Sequence, residues 1–362
     1  MHHRETGAVR PLVLLMLVCL ALPAAADQRR LDVGVAIFDP GIPADESTHN
    51  ELGIFPRIRQ AEAKYLPVTL RRELVDSGQW GVVRVLPELG VLSELTVQGR
   101  ILESNGRQQR IHARVIDATG RRWLDREYAA SAVTTSPPGN EPYRQLYARV
   151  AADMLDYRRG LTASQLREIR GVALMRYAQS LSPDAFAAYL GRDGEGHQRL
   201  QRLPAEGDPM MSRVERIRNQ EYLFIDNVDE QFGDLHDQMA ATYVLWLAYD
   251  REQNLFREDY EQRAANREQQ GRAGSFAAMQ QSYFAYRNFR IQEQDLDELA
   301  LGFNNEIAPT IMATSGRVFR LTGTLDSQYT EWRQILRQIF ALETGLPPAA
   351  GGDNSSFSNT AQ

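Results

Sequence analysis

Apolar positions in the first half of this chain tend to alternate with polar ones, whereas in the second half they recur at helical spacing. Leu31–Phe38 is a short β-rich run closed by Asp39-Pro40-Gly41, and an irregular stretch follows to about residue 55. Pro56 stands where a helix starts, and Ile58, Ala61, Tyr65, Val68, Leu70 and Leu74 continue it with mostly helical spacing. Pro67 predicts a kink in that helix, or an end to its first half, because it lacks the N–H that a helix interior uses. Trp80–Leu86 reads as the next strand. Leu95–Leu102 then leads through Asn105-Gly106 to Arg110–Asp117, and Ala118-Thr119-Gly120 turns the chain into Trp123–Val133. Asn-Gly between alternating runs signals a hairpin, since both residues tolerate positive φ. Ser136–Gly139 is a loop, and Pro142–Arg158 is an amphipathic helix.

From Leu161 onwards the pattern is helical. Thr162-Ala163-Ser164-Gln165 fits a capping box. Ser182-Pro183 starts a short helix, and residues 191–207, rich in glycine, predict an irregular segment. Asp208-Pro209 is an N-cap followed by proline at the first helical position, opening a helix that runs to about residue 250 with a weak point at Gly233. Residues 251–274 predict an exposed helix or a linker, and Ser275–Arg290 a helix with many aromatics. Thr310–Ala313, Ser315-Gly316 and Val318–Leu321 make a small hairpin, and Tyr329, Trp332, Ile335, Leu336, Ile339 and Phe340 stripe a final helix. The fold class implied is α+β: an amino-terminal α/β module with a mainly antiparallel sheet over residues 27–160, then a mainly helical domain over 161–345. The tail, 346–362, predicts disorder.

The amino terminus changes the picture. His2, His3, Arg4 and Arg10 precede an apolar stretch, Leu12–Leu22, that is too short for a bilayer span. Pro23 and Ala24-Ala25-Ala26 complete what reads as a cleavable secretory signal over residues 1–26, which places the mature chain in the periplasm. The single cysteine, Cys19, lies inside that leader, so the mature chain has no disulfide and no thiolate chemistry. Net charge is −6, and loss of Arg4, Arg10 and Glu5 makes the remainder one unit more acidic, which argues against a nucleic-acid partner. The basic residues are almost all arginine, with Lys64 the only lysine.

Several groups of residues carry candidate chemistry. Asp226, Asp229, Glu230, Asp234, His236 and Asp237 could gather a divalent cation, but they lack the ligand spacing of a calcium loop. Their helical spacing predicts a solvated acidic face instead. Arg213, Arg216 and Arg218, with Glu215 and Glu221, read either as an anion-binding face or as exposed ion pairs along one helix. Met239–Tyr249 is apolar nearly all round and predicts a buried central helix rather than a membrane-surface or partner-binding one. Gly191–Gly196 follows a helix and lacks the ending of a phosphate loop. His49, His112, His197 and His236 show no metal-ligand spacing, and no nucleophile stands in a recognisable turn. No cofactor, metal or catalytic residue is therefore assigned. The residues singled out for binding are Arg213, Arg216, Tyr222 and Trp246, on the helix from Pro209 to Tyr249.

Val35-Ala36-Ile37-Phe38-Asp39, Trp80–Leu86, Val97-x-Gly99-x-Ile101 and Val115-x-Asp117-Ala118-Thr119-Gly120 resemble one periplasmic α/β module. It occurs in the amino-terminal domain of TolB, in the curli-secretion lipoprotein and in penicillin-binding-protein activator lipoproteins. The resemblance covers residues 31–159. It implies a strand carrying a glycine that returns through a hairpin to a strand ending Asp-x-x-Gly, with a helix packed across the sheet. It also implies protein–protein contact in the envelope rather than catalysis. The chain as a whole is similar to uncharacterised exported proteins of Gram-negative bacteria, notably at Leu203–Met210 and the arginine-rich helix after it, which implies no activity. The expectation is a non-catalytic periplasmic protein that binds other envelope proteins. The alternative is an envelope hydrolase of peptidoglycan, lipid or polysaccharide, using carboxylates around the loop at 191–207.

Overall fold

The computed structural model describes residues 30–49, 52–132, 142–270 and 310–346. The leader, the loop at Ser136–Gly139, the helix expected over Ser275–Arg290 and the tail beyond Leu346 lie outside the described residues. The chain is α+β, a five-stranded sheet followed by a largely helical region. Strands β1 (Val33–Ala36), β2 (Val83–Leu86), β3 (Leu95–Ser104), β4 (Gln108–Asp117) and β5 (Arg122–Ser131) form one sheet in the order β2-β1-β3-β4-β5. β1 pairs in parallel with both β2 and β3, and the three long strands form an antiparallel meander. Lying between two neighbours, β1 is buried along its whole length.

Helix α1 (Pro56–Asp76) joins β1 to β2 and α2 (Arg144–Arg159) follows the meander, both burying an apolar side against the sheet. Pro67 neither ends nor divides α1, which is continuous through it. Proline frees the carbonyl of Ala63, four residues back, and the backbone N–H of Phe38 donates to it at 2.9 Å. The acceptor is satisfied by another element, so the helix tolerates its proline here.

The turn motifs have distinct causes. At Asp117-x-x-Gly120, Asp117 Oδ1 accepts from the Thr119 N–H at 2.9 Å, and Oδ2 from Trp123 Nε1 at 2.8 Å. Gly120 then takes φ +89°. At Gly99 a side chain would collide with the ring of Phe38. Asn105-Gly106 does form the β3–β4 hairpin, but Gly106 does not hold positive φ. Its missing Cβ instead makes room for a helix backbone described below.

Helices α3 (Ala163–Leu181), α4 (Pro183–Phe186), α5 (Pro209–Gln270) and α6 (Leu325–Thr344) build the second region. Thr162 and Gln165 complete the capping box of α3. The segment at 191–207, expected to be irregular, contains a small hairpin of β6 (Leu190–Arg192) and β7 (Gln198–Leu200). Asp193 closes its turn by accepting the N–H groups of Glu195 and His197. β8 (Thr310–Thr314) and β9 (Arg317–Leu321) pair around Ser315-Gly316, both at positive φ as a two-residue hairpin loop requires. α5 is uninterrupted at Gly233 and passes the expected end near residue 250. Among the described residues, no helix is long and apolar enough to cross a membrane.

Among the described residues, two apolar cores result. One lies between the sheet, α1 and α2, and takes in Ile169 and Val172 of α3 and Tyr243, Trp246 and Leu247 of α5. The other lies among α3, α5, α6 and the β8–β9 hairpin, and reaches Val85 and Leu86 of β2.

Candidate functional site

Helix α5 touches both cores, and its polar residues explain how. Asp226 Oδ1 accepts from Arg84 Nε at 2.5 Å, and Asp229 lies 2.6 Å from Arg71 while accepting the Val85 N–H at 2.9 Å. Asp237 pairs with Arg72 at 2.7 Å. His236 is buried, stacked on Tyr65 at 4.0 Å and hydrogen-bonded to Thr69 at 3.1 Å. Burial, and then the charge of Arg72, push its pKa down to about 4. The acidic stretch is therefore solvated only in part: Asp226, Glu230, Asp234 and Asp237 are exposed, whereas Asp229 and His236 are buried. Asp226, Asp229 and Asp237 each meet an arginine of α1 or β2, and Asp229 is only 7% exposed. Among the described residues no three His, Cys, Asp or Glu side chains gather as a metal site would require.

The seam continues towards the carboxyl end of α5. Tyr243 donates to Glu62 Oε1 at 2.9 Å, as does Ser104 at 2.5 Å, and Arg59 lies 3.1 Å from the other oxygen. Burial pushes the Glu62 carboxyl above its ordinary range, against the pull of Arg59. Asp250 accepts the Gly106 N–H at 3.0 Å, and a Cβ at Gly106 would overlap the Leu247 carbonyl. Trp246 belongs to this buried surface at 6% exposure, so it is a packing residue. Met239–Tyr249 is two-sided, since Leu245 is 70% exposed while Tyr243 and Leu247 are buried.

Nearer its start, α5 makes a second set of closed contacts. Glu221 accepts from the hydroxyls of Tyr177 at 2.8 Å and Tyr329 at 2.7 Å, with Arg333 at 3.5 Å. Burial and the Glu221 charge raise both tyrosines well above their usual range. Tyr222 stacks with the guanidiniums of Arg84 and Arg218, 4.3 and 5.2 Å from its ring centre, and donates to the Leu92 carbonyl at 2.9 Å. Burial pushes its pKa up to about 12, against the two cations. Tyr222 thus ties α5 to the loop before β3.

Arg213 and Arg216 remain on the outer side. Arg216 pairs with Glu343 of α6, which makes it a link between helices as well as a surface charge. It also lines a cavity of about 470 Å³ with Ile217 and Gln220, closed on the other side by Ala313–Val318 of the hairpin. The inner face of that hairpin is held by Met312 against Asn227 and by Phe319 edge-on to Trp332. Its outer face carries Ile311 and Val318, at 66% and 72% exposure. The structure thus separates the four residues singled out from sequence. Arg216 borders an open cleft, Arg213 is half-buried one turn away, and Tyr222 and Trp246 are occupied in packing. Gln220, Ile311 and Val318 went unnoticed. The alternation of 310–314 and 317–321 divides the residues of those strands between two faces, but with apolar groups on both, so Ile311 and Val318 do not stand out.

No protein-family model matches this chain, and no curated protein matches it. Among solved structures, a substituted PelC dodecamer from Paraburkholderia phytofirmans aligns with 36% of this chain and 89% of its own, at 12% identity and a TM-score of 0.23. A likeness that slight carries no inference.

Proposed function

We propose that this chain works in the periplasm as a non-catalytic binding protein of the cell envelope, with its protein partner seated on the cleft between α5 and the β8–β9 hairpin. One observation carries the reading. The hairpin turns Ile311 and Val318 to solvent beside an open cavity, while the buried polar groups of α5 are engaged in holding elements together. Exposed apolar groups rimmed by arginine are the composition of a recognition patch. The leader read over residues 1–26 supports the location, and the resemblance of residues 31–159 to envelope modules supports contact with proteins.

The test is a photo-crosslinking residue placed at Ile311 in cells, with Leu203, itself 71% exposed, as the comparison position. A discrete protein captured from 311 and not from 203 is the expected result. The same adducts from both positions would sink the reading, as would none from 311. Turnover of peptidoglycan, lipid or polysaccharide by the purified protein, abolished by removing a pair of carboxylates, would overturn its non-catalytic half.

A further inference from the structure

Resting on that reading, we propose that the free edge of β9 receives an extended acidic segment of the partner as a third strand. The register of the hairpin sets the geometry. A two-residue loop closes on a hydrogen-bonded pair, here Thr314 and Arg317, and such pairs recur at Met312–Phe319. Val318 opposite Ala313 and Arg320 opposite Ile311 fall between them. Their N–H and C=O groups point away from β8, and among the described residues no backbone hydrogen bond reaches them. A two-stranded sheet leaves such an edge ready for another strand.

Charge selects the edge and the occupant. β8 reads Thr-Ile-Met-Ala-Thr and has no charge, whereas β9 carries Arg317 and Arg320. Both arginines are exposed, and among the described residues neither meets a carboxylate. Arg216, by contrast, is committed to Glu343. A neutral strand, or a second copy of β9, would bury these guanidiniums without a counter-charge. A strand with acidic side chains opposite Arg320 and an apolar one beside Val318 satisfies both, because directly opposed opposite charges stabilise a sheet. The cavity at the hairpin's turn end then offers space for one side chain beyond the ladder.

The probe is a blocked hexapeptide, Thr-Glu-Thr-Val-Glu-Thr, which as an antiparallel strand sets glutamate opposite Arg320 and Arg317 and valine opposite Val318, titrated against the full mature chain by fluorescence anisotropy at low salt. The same peptide with lysine in place of glutamate serves as the charge control. Two further copies of the glutamate peptide carry N-methyl groups on alternate amides, in the two possible registers. We expect the acidic peptide to bind at least about tenfold tighter than the basic one. One methylation register should abolish binding while the other leaves it. Val318→Pro removes an edge N–H at a position where proline is compatible with an edge strand, and should weaken binding about tenfold. Arg320→Glu, a surface change, should invert the charge preference. Equal binding of acidic and basic peptides, or indifference to methylation register, overturns the proposal. So does a dimer of the parent chain that Val318→Pro dissociates, since a second copy would then occupy the edge. If these arms fail while Ile311 still captures its own discrete partner, the edge assignment falls and the binding reading stands.

Discussion

The backbone N–H of Phe38, just past the end of β1, donates at 2.9 Å to the carbonyl of Ala63 in the middle of α1. That carbonyl is the acceptor Pro67 leaves without its intrahelical partner, so the bond converts a defect of the helix into a tie between helix and sheet. We expect the Phe38 amide to exchange with solvent as slowly as the amides within β1. Native-state hydrogen exchange reads this directly. Exchange at the rate of a loop amide would contradict the tie.

The two aspartates that meet β2 should differ sharply. Asp229 is 7% exposed and serves both Arg71 and the Val85 N–H, so Asp229→Ala strands a cation and a buried donor. We expect a loss of about 3 kcal/mol in urea unfolding. The Asp226 side chain is 48% exposed, and Asp226→Ala should cost less than about 1 kcal/mol. Equal losses would mean that the seam does not depend on burial.

Acid should loosen the same seam through His236. Its folded pKa, about 4, lies below the ordinary 6.5, so the unfolded chain takes up the proton first as pH falls. The stability linked to this group is fully present above pH 6.5 and is lost progressively towards pH 4. The loss amounts to about 3 kcal/mol. Glu62 and Asp229, with raised pKa values, act in the opposite sense. Comparing urea unfolding of the parent and His236→Phe across that window isolates the histidine, and the variant should show the flatter profile. Parallel profiles would exclude it.

Gly106→Ala tests the other end of the contact. The added methyl would overlap the backbone of α5 at Leu247. We expect the sheet to survive and the carboxyl end of α5 to detach, with trypsin cutting faster after Arg251. Unchanged proteolysis would show that the hairpin and helix can move apart at no cost.

Much of this fold is written locally. The meander, the capping box at Thr162 and the Ser315-Gly316 hairpin depend on neighbours within a few residues, and all three were legible. That Pro67 would not end the helix was not legible, because its compensating donor, Phe38, belongs to another element. Asp226 and Asp229 read as parts of one solvated face, and only Asp229 proves buried, because helical spacing reports only the helix. Their partners at Arg84 and Val85 lie 142 and 144 residues away. The same limit applied to the candidate site. Arg216 was legible as a surface charge, but the cleft beside it exists only once the β8–β9 hairpin closes over α5. Trp246 belongs to the apolar run Met239–Tyr249, and apolar character alone does not say whether an indole faces a partner or a core.

Lys64, the only lysine, sits half-buried on α1, and burial lowers its pKa. Apart from the chain's α-amino group, an acylating reagent therefore finds a single target. That target feels the charge of Asp326, in the first turn of α6. The extent of modification at this one amine can serve as a built-in gauge of whether the helix is seated, with no engineered label.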